Sequence, residues 1–133
     1  MALTEPLYHA DGYMKEFDAT VVKSTPENGV VLDRTAFYPG GGGQPADTGT
    51  LRTGQAEYAV VRVSRAGGDL VHALDGTPPT VGESVRGLIH WERRYQLMRT
   101  HTALHILCGV VWRDYGALVT GGDIKPLSAR MDF

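Results

Sequence analysis

Between Asp18 and His90 the apolar residues fall in short runs rich in Val, Leu, Ile and Tyr, broken at close intervals by Gly, Pro, Asn and Asp, a pattern that predicts a small β-barrel or sandwich. Thr20–Lys23 and Val30–Leu32 flank Pro26-Glu27-Asn28-Gly29, whose Asn-Gly pair tolerates the positive φ angles of a tight hairpin. Tyr58–Val63 and Leu70–Leu74 flank Ala66-Gly67-Gly68-Asp69, which reads as a second hairpin, and Gly76-Thr77-Pro78-Pro79 ends it. Ser84–His90 is the last strand of this region. From Trp91 to Tyr115 the period changes. There is no proline and one glycine, Gly109, and apolar residues recur at three- and four-residue steps, so the segment is a helix with Gly116 as its stop. Met98, His101, His105, Cys108 and Trp112 lie on one stripe of it. Leu118–Gly122 reads as a glycine-containing loop, and Ala129–Phe133 as the opening of a strand. The fold class is therefore α+β. Residues 1–89 form a β-barrel with a glycine-rich loop, and residues 90–133 open an α/β unit with a helix.

Length and charge alter this picture only slightly. A chain of 133 residues can bury one modest core and leave a further element, not two full domains. Residues 1–89 carry 7 Lys and Arg against 11 Asp and Glu, and residues 90–133 carry 6 against 4. An anionic partner should therefore meet the C-terminal segment, which holds Arg93, Arg94, Arg99, Arg113, Lys125 and Arg130. One cysteine, Cys108, excludes an internal disulfide, and Met1-Ala2-Leu3-Thr4-Glu5 lacks the basic and apolar regions of a secretion signal, so the expected compartment is the cytoplasm. No apolar run approaches the roughly 20 residues that cross a bilayer, so no membrane association is expected.

Two features carry chemistry. In His101-Thr102-Ala103-Leu104-His105 two imidazoles stand one helical turn apart, with Cβ atoms about 6 Å apart, and both can reach one zinc ion at about 2.0–2.1 Å. The same spacing also suits two hydrogen-bonded histidines that bind nothing. Thr102 occupies the position where a metalloprotease helix needs its glutamate, which argues against peptide hydrolysis of that type. The second feature is Gly40-Gly41-Gly42-Gly43, preceded by Phe37, Tyr38 and Pro39 and followed by Gln44-Pro45. Bare backbone of this kind permits close approach of another surface, the flanking residues pin it at both ends, and Gln44 gives it an amide. It lacks the Gly-Lys-Ser/Thr of a phosphate loop. Cys108, three residues beyond His105, reads as a packed thiol. His9, His72 and His90 read as ordinary surface or strand residues.

Taken in order, FYPGGGGQPADTG, WERRYQLMRTHTALHIL and SARMDF resemble the free-standing alanyl-tRNA editing proteins and the editing domain of alanyl-tRNA synthetase, from about Asp18 to the end of the chain. In that family the glycine-rich loop belongs to an N-terminal barrel and the HxxxH helix opens an α/β editing core. The resemblance implies that His101 and His105 are ligands of Zn2+, that Gln44 and Thr120 act in catalysis, Thr120 by contacting a serine hydroxyl, and that Gly41, Gly42, Gly43 and Arg130 contact substrate. Arg130 and Asp132 match the family's Arg-x-Asp-Phe signature. It further implies hydrolysis of the ester joining serine, or glycine, to mischarged tRNA(Ala). The family takes its other two zinc ligands from a downstream Cys-x-x-x-His that these 133 residues do not contain. The chain alone is therefore expected to bind zinc weakly and deacylate little, and to associate with itself through the uncovered helix stripe. Two further readings are an inactive fragment serving as an RNA- or partner-binding barrel, and a zinc hydrolase of another small ester.

Overall fold

A computed structural model describes residues 4–41 and 43–133. Its strands are β1 (Glu5–Pro6), β2 (Glu16–Thr25), β3 (Gly29–Leu32), β4 (Arg34–Thr35), β5 (Gly49–Arg52), β6 (Glu57–Ala66), β7 (Asp69–Leu74), β8 (Ser84–Ile89), β9 (Gly121–Lys125) and β10 (Ser128–Asp132), and its α-helix is α1 (Trp91–Tyr115). The chain divides into two compact units. One comprises residues 1–39 and 46–90, the other residues 40–45 and 91–133.

The first unit is a closed six-stranded barrel of order β2-β3-β7-β6-β5-β8, so the barrel and the following helix agree with the α+β expectation. Along β2 the alternation Glu16, Phe17, Asp18, Ala19 puts Phe17, Ala19 and Val21 inside and the carboxylates outside. In β6 Val60 and Val63 are both buried although three residues apart, and Val61 is exposed. A register shift between Val60 and Arg62 supplies the extra residue that turns Val63 back inward. The interior holds Phe17, Val21, Val30, Leu32, Phe37, Leu51, Val60, Val63 and Val85. Phe37 packs edge-to-face on Phe17, with ring centroids 5.7 Å apart.

The β6–β7 hairpin closes through Gly67 and Gly68, both at positive φ, as its sequence indicates. The β2–β3 turn is displaced by one residue from the expected one. Its positive angles fall on Glu27 (68°) and Asn28 (61°), and Gly29 already pairs with Thr25 as the first residue of β3. Gly29 is required there for space, because a Cβ would collide with Thr25 Oγ1 and Val71.

His72 is a strand residue of β7, as one of its two expected placements had it, but it is fully buried in the core rather than at the surface. Its Nδ1 lies 3.2 Å from the Val30 carbonyl and its Nε2 2.8 Å from Thr35 Oγ1, which in turn accepts the Phe37 N–H at 3.0 Å. A carbonyl only accepts, so Nδ1 carries the proton, Nε2 accepts from the threonine hydroxyl, and the ring is neutral. Burial pushes its pKa down to about 4.

In the second unit α1 ends where Gly116, at φ 64°, donates its N–H to the Trp112 carbonyl at 2.9 Å. The segment after it corrects the sequence reading. Gly121 and Gly122 belong to strand β9 rather than to a loop, and β9 and β10 form an antiparallel hairpin. Thr100 ties this hairpin to the helix, its hydroxyl donating to Gln96 O at 2.8 Å and accepting the Leu127 N–H at 3.1 Å. Of the expected helix stripe Met98, His101 and Cys108 are partly covered, whereas His105 is exposed and Trp112 is 57% exposed; the most buried helix residues, Arg94 and Leu97, lie beside it, with Leu104 and Val111 partly covered.

Candidate functional site

The glycine-rich loop and α1 meet within the second unit. Gly41 and Gln44 exchange both backbone hydrogen bonds, N–H to O, at 3.0 Å, closing a tight turn. Gly40, Gly41 and Gly43 have φ of 92°, 140° and 83°, a region nearly closed to residues with a Cβ, which is why the turn is built of glycine. The turn leaves the Gln44 side chain buried, with Oε1 3.2 Å from His101 Nδ1. An amide oxygen only accepts, so Nδ1 carries the proton and the lone pair of His101 is on Nε2. The His105 ring stacks on His101, with centroids 5.0 Å apart and planes 25° apart. Burial, and then the neighbouring His105, lowers the His101 pKa from its ordinary value, which favours the neutral ring that a metal requires.

Both imidazoles line a cavity of about 350 Å³, whose other walls are Gly43, Leu104, Cys108, Val119, Gly121, Gly122, Ile124 and Met131. The residues named from the sequence separate here. Gln44, His101, His105 and Gly43 come together, with Gly41 holding the turn. Thr120 is exposed and does not line the cavity, although Val119 and Gly121 on either side do, and its N–H donates to Asp132 O at 2.8 Å. Arg130 is exposed on β10, opposite Asp123 and 3.6 Å from the Asp132 carboxylate, away from the cavity lining. Gly42 lies outside the described residues.

The sequence reading passed over two further contacts, one in each unit. Asp47 is buried in the first unit, where Oδ2 accepts the Tyr38 N–H at 2.8 Å and its own N–H donates to Tyr38 O at 2.8 Å. This reciprocal pair ties Tyr38 to Asp47 within the first unit. Met131 of β10 lies with its Sδ 3.1 Å from Cys108 Sγ. A carboxylate two residues beyond Gln44-Pro45 was a readable hint of the first, but nothing in the sequence marks the second.

As a metal site the donor set is partial. Two imidazoles on one helical turn, one of them oriented by an amide, suit half of a tetrahedral zinc site. Among the described residues no group of three or more His, Cys, Asp or Glu side chains is arranged to hold a metal ion. A larger open depression of about 720 Å³ lies on the barrel and is lined by Arg34, Arg52, Arg86, Asp18 and Asp33, among others. Of its charges, Arg86 pairs with Glu16 at 2.9 Å and with Asp18 at 3.0 Å.

Residues 9–93 match the family model described as tRNA synthetases class II (A). The chain belongs to this family. It is 46% identical over 137 residues to the alanyl-tRNA editing protein AlaX-M of Methanosarcina barkeri, covering 98% of this chain and 56% of that protein. It is 47% identical over 134 residues to AlaX-M of Saccharolobus solfataricus, again covering 98% of this chain and 56% of the relative. The alanine–tRNA ligase of Ignicoccus hospitalis is 49% identical over 132 residues, covering 98% of this chain and 14% of the ligase. The resemblance drawn from the loop, the HxxxH helix and the SARMDF segment is therefore borne out. The chain spans about half the length of the curated editing proteins it matches. Among the described residues no helix is long and apolar enough to cross a membrane.

Proposed function

We propose that this class II (A) family member acts in editing of mischarged tRNA(Ala), with His101 and His105 as zinc ligands in a site that hydrolyses the ester joining serine, or glycine, to the tRNA. The observation that carries the reading is the 3.2 Å contact between Gln44 Oε1 and His101 Nδ1, beside a stacked His105 and a largely apolar, partly open cavity. A catalytic zinc there would polarise the ester carbonyl or a bound water. The chain's own residues do the rest. Gln44 holds His101 with Nε2 free, and Leu104, Val119 and Ile124 give the cavity apolar walls. Gly43 brings bare backbone to the cavity, where an aminoacyl group can pack without meeting a side chain of that residue. Rejection of alanine requires a polar partner for the serine hydroxyl, because a buried group left unpaired by the smaller substrate penalises it. Thr120 and Arg130 enter this reading through the family resemblance, and the cytoplasm is the compartment it implies.

The test measures deacylation of Ser-tRNA(Ala) and Ala-tRNA(Ala), with zinc content by elemental analysis. It uses the 133-residue chain and a chimera joining it to the C-terminal remainder of the Methanosarcina barkeri relative. The chimera is expected to bind zinc and prefer the seryl substrate, and His101→Ala and His105→Ala are expected to abolish both properties. Turnover that survives both substitutions, or that treats the two aminoacyl groups alike, would overturn the proposal.

A further inference from the structure

The cavity holds a second set of donors with a different chemistry. Cys108 lies one turn beyond His105 on α1, and Met131 comes to it from β10, so that a thiol and a thioether face each other at 3.1 Å in the cavity that the imidazoles also line. The thiol donates to the thioether, which places a proton between two soft, polarisable sulfurs. Zinc gains little from a neutral thioether, whereas a monovalent d10 cation favours a thiolate, a thioether and an imidazole together.

We propose that Cys108 Sγ, Met131 Sδ and the His105 imidazole bind copper(I). The ion replaces the thiol proton, Cu+ + RSH giving RS–Cu + H+, with the proton released to solvent and no change of oxidation state. Metal–sulfur bonds of about 2.3 Å at a trigonal ion set the two sulfurs about 4 Å apart, so they must separate by roughly 1 Å. Met131 can make that adjustment. It has an unbranched side chain with three rotatable bonds, is only partly buried, and borders the cavity into which it would move. Cys108 is the only cysteine of the chain and is free, so no disulfide competes for the thiolate. Leu104, Val119 and Ile124 give the cavity an aliphatic side that suits a soft, weakly hydrated ion. His105 is shared with the proposed zinc pair, so copper(I) and zinc compete for one imidazole while differing in every other ligand.

The experiment is an anaerobic titration of the 133-residue chain with copper(I) against bicinchoninate, followed by silver(I) titration of protein carrying 13C-methyl methionine. One copper(I) per chain is expected. Cys108→Ser should lose roughly a hundredfold or more in affinity and Met131→Leu roughly tenfold, while His101→Ala stays within about threefold of wild type. One of the four methionine methyl resonances, assigned by its absence in Met131→Leu, should shift on adding silver(I). Alkylating the sole thiol of the folded wild-type chain repeats the Cys108 test without a substitution. Undiminished copper(I) binding after alkylation or in Met131→Leu, a silent Met131 methyl, or a loss in His101→Ala equal to that in Cys108→Ser overturns the site. Cys108→Ser is expected to keep its zinc affinity, so failure here is distinct from failure of the zinc reading.

Discussion

Two histidines on this chain have their tautomers fixed by a neighbour that can only accept, and each yields a measurable consequence. For His101 the neighbour is Gln44 Oε1, so ring 15N shifts at alkaline pH should report a protonated Nδ1 and a bare Nε2. A hydrogen bond worth about 0.5–1.5 kcal/mol biases the tautomer ratio by roughly 2- to 10-fold, and Gln44→Leu should release that bias. The same substitution is expected to weaken zinc binding by the chimera by roughly 10- to 100-fold in a competition titration against a chromophoric chelator. A wild-type ring protonated on Nε2 would remove Gln44 from the site. For His72 the neighbour is the Val30 carbonyl, and here burial of the ring, which outweighs the upward pull of that carbonyl on the pKa, has its consequence in stability. Its folded pKa of about 4 lies below the ordinary 6.5, so the unfolded chain binds the proton more tightly. The contribution is fully present above about pH 6.5, is lost as pH falls towards 4, and amounts to roughly 3 kcal/mol. Urea midpoints of wild type and His72→Gln should therefore converge across that window, since carboxylates titrate alike in both. Parallel curves would mean that His72 is not held neutral by the fold.

Among the elements, what was legible in the sequence depended on whether one signal acted alone. Helix α1 runs from Trp91 to Tyr115 as read, because a proline-free segment with a single glycine is bounded by Gly116. The Gly67-Gly68 hairpin was equally plain, since two adjacent glycines supply both positive angles. The face of α1 was not legible. Ile106, Leu107, Val110, Val111 and Trp112 place apolar side chains nearly all round the helix, so periodicity could not choose between the Leu97–Leu104–Cys108 stripe and the neighbouring one. Strand β9 was hidden because Gly121-Gly122-Asp123 has little strand preference of its own and is held by pairing with β10. His72 did carry a signal, two residues from Leu70 and from Leu74 on an alternating strand, but the alternation was not followed inward. Of the site, the loop and the histidine pair were legible, whereas the Met131 contact depends on a hairpin that the sequence concealed. The β2–β3 turn offers a direct test. Glu27 occupies a left-handed position that Asn tolerates better, so Glu27→Asn should raise stability by a few tenths to about 1 kcal/mol. Gly29→Ala should lower it by more than about 1 kcal/mol through the clash with Thr25 and Val71. Urea denaturation in which Gly29→Ala matches wild type would show that the turn is not the one described.

At the scale of the molecule the two units differ in what holds them. Every residue of the hydrophobic core cluster, from Phe17 to Ile89, belongs to the barrel unit, whose sheet closes on itself and leaves no free edge among its six strands. In the other unit the buried apolar residues among those described are Leu97 and Ile124, while Ile106, Leu107, Val110, Trp112, Tyr115 and Leu118 are exposed. A helix owes most of its stability to an apolar face packed against something, and local opening is cheapest where few apolar contacts are lost. Hydrogen exchange followed by mass spectrometry should therefore show two classes of amide. Those of β2, β3, β6, β7 and β8 should exchange only through global unfolding, with a denaturant dependence matching that of the barrel. Those of α1 beyond His105 and of β9 and β10 should exchange through openings of lower free energy. Exposed apolar surface on the second unit also favours self-association, so exchange in α1 should slow as protein concentration rises while the barrel amides stay unchanged. Ile106→Glu with Val110→Lys should remove that concentration dependence in sedimentation velocity and in exchange alike. Equal protection across both units at low concentration would show that the second unit draws its stability from contacts other than its own, and that the barrel and the histidine helix fold as one cooperative body.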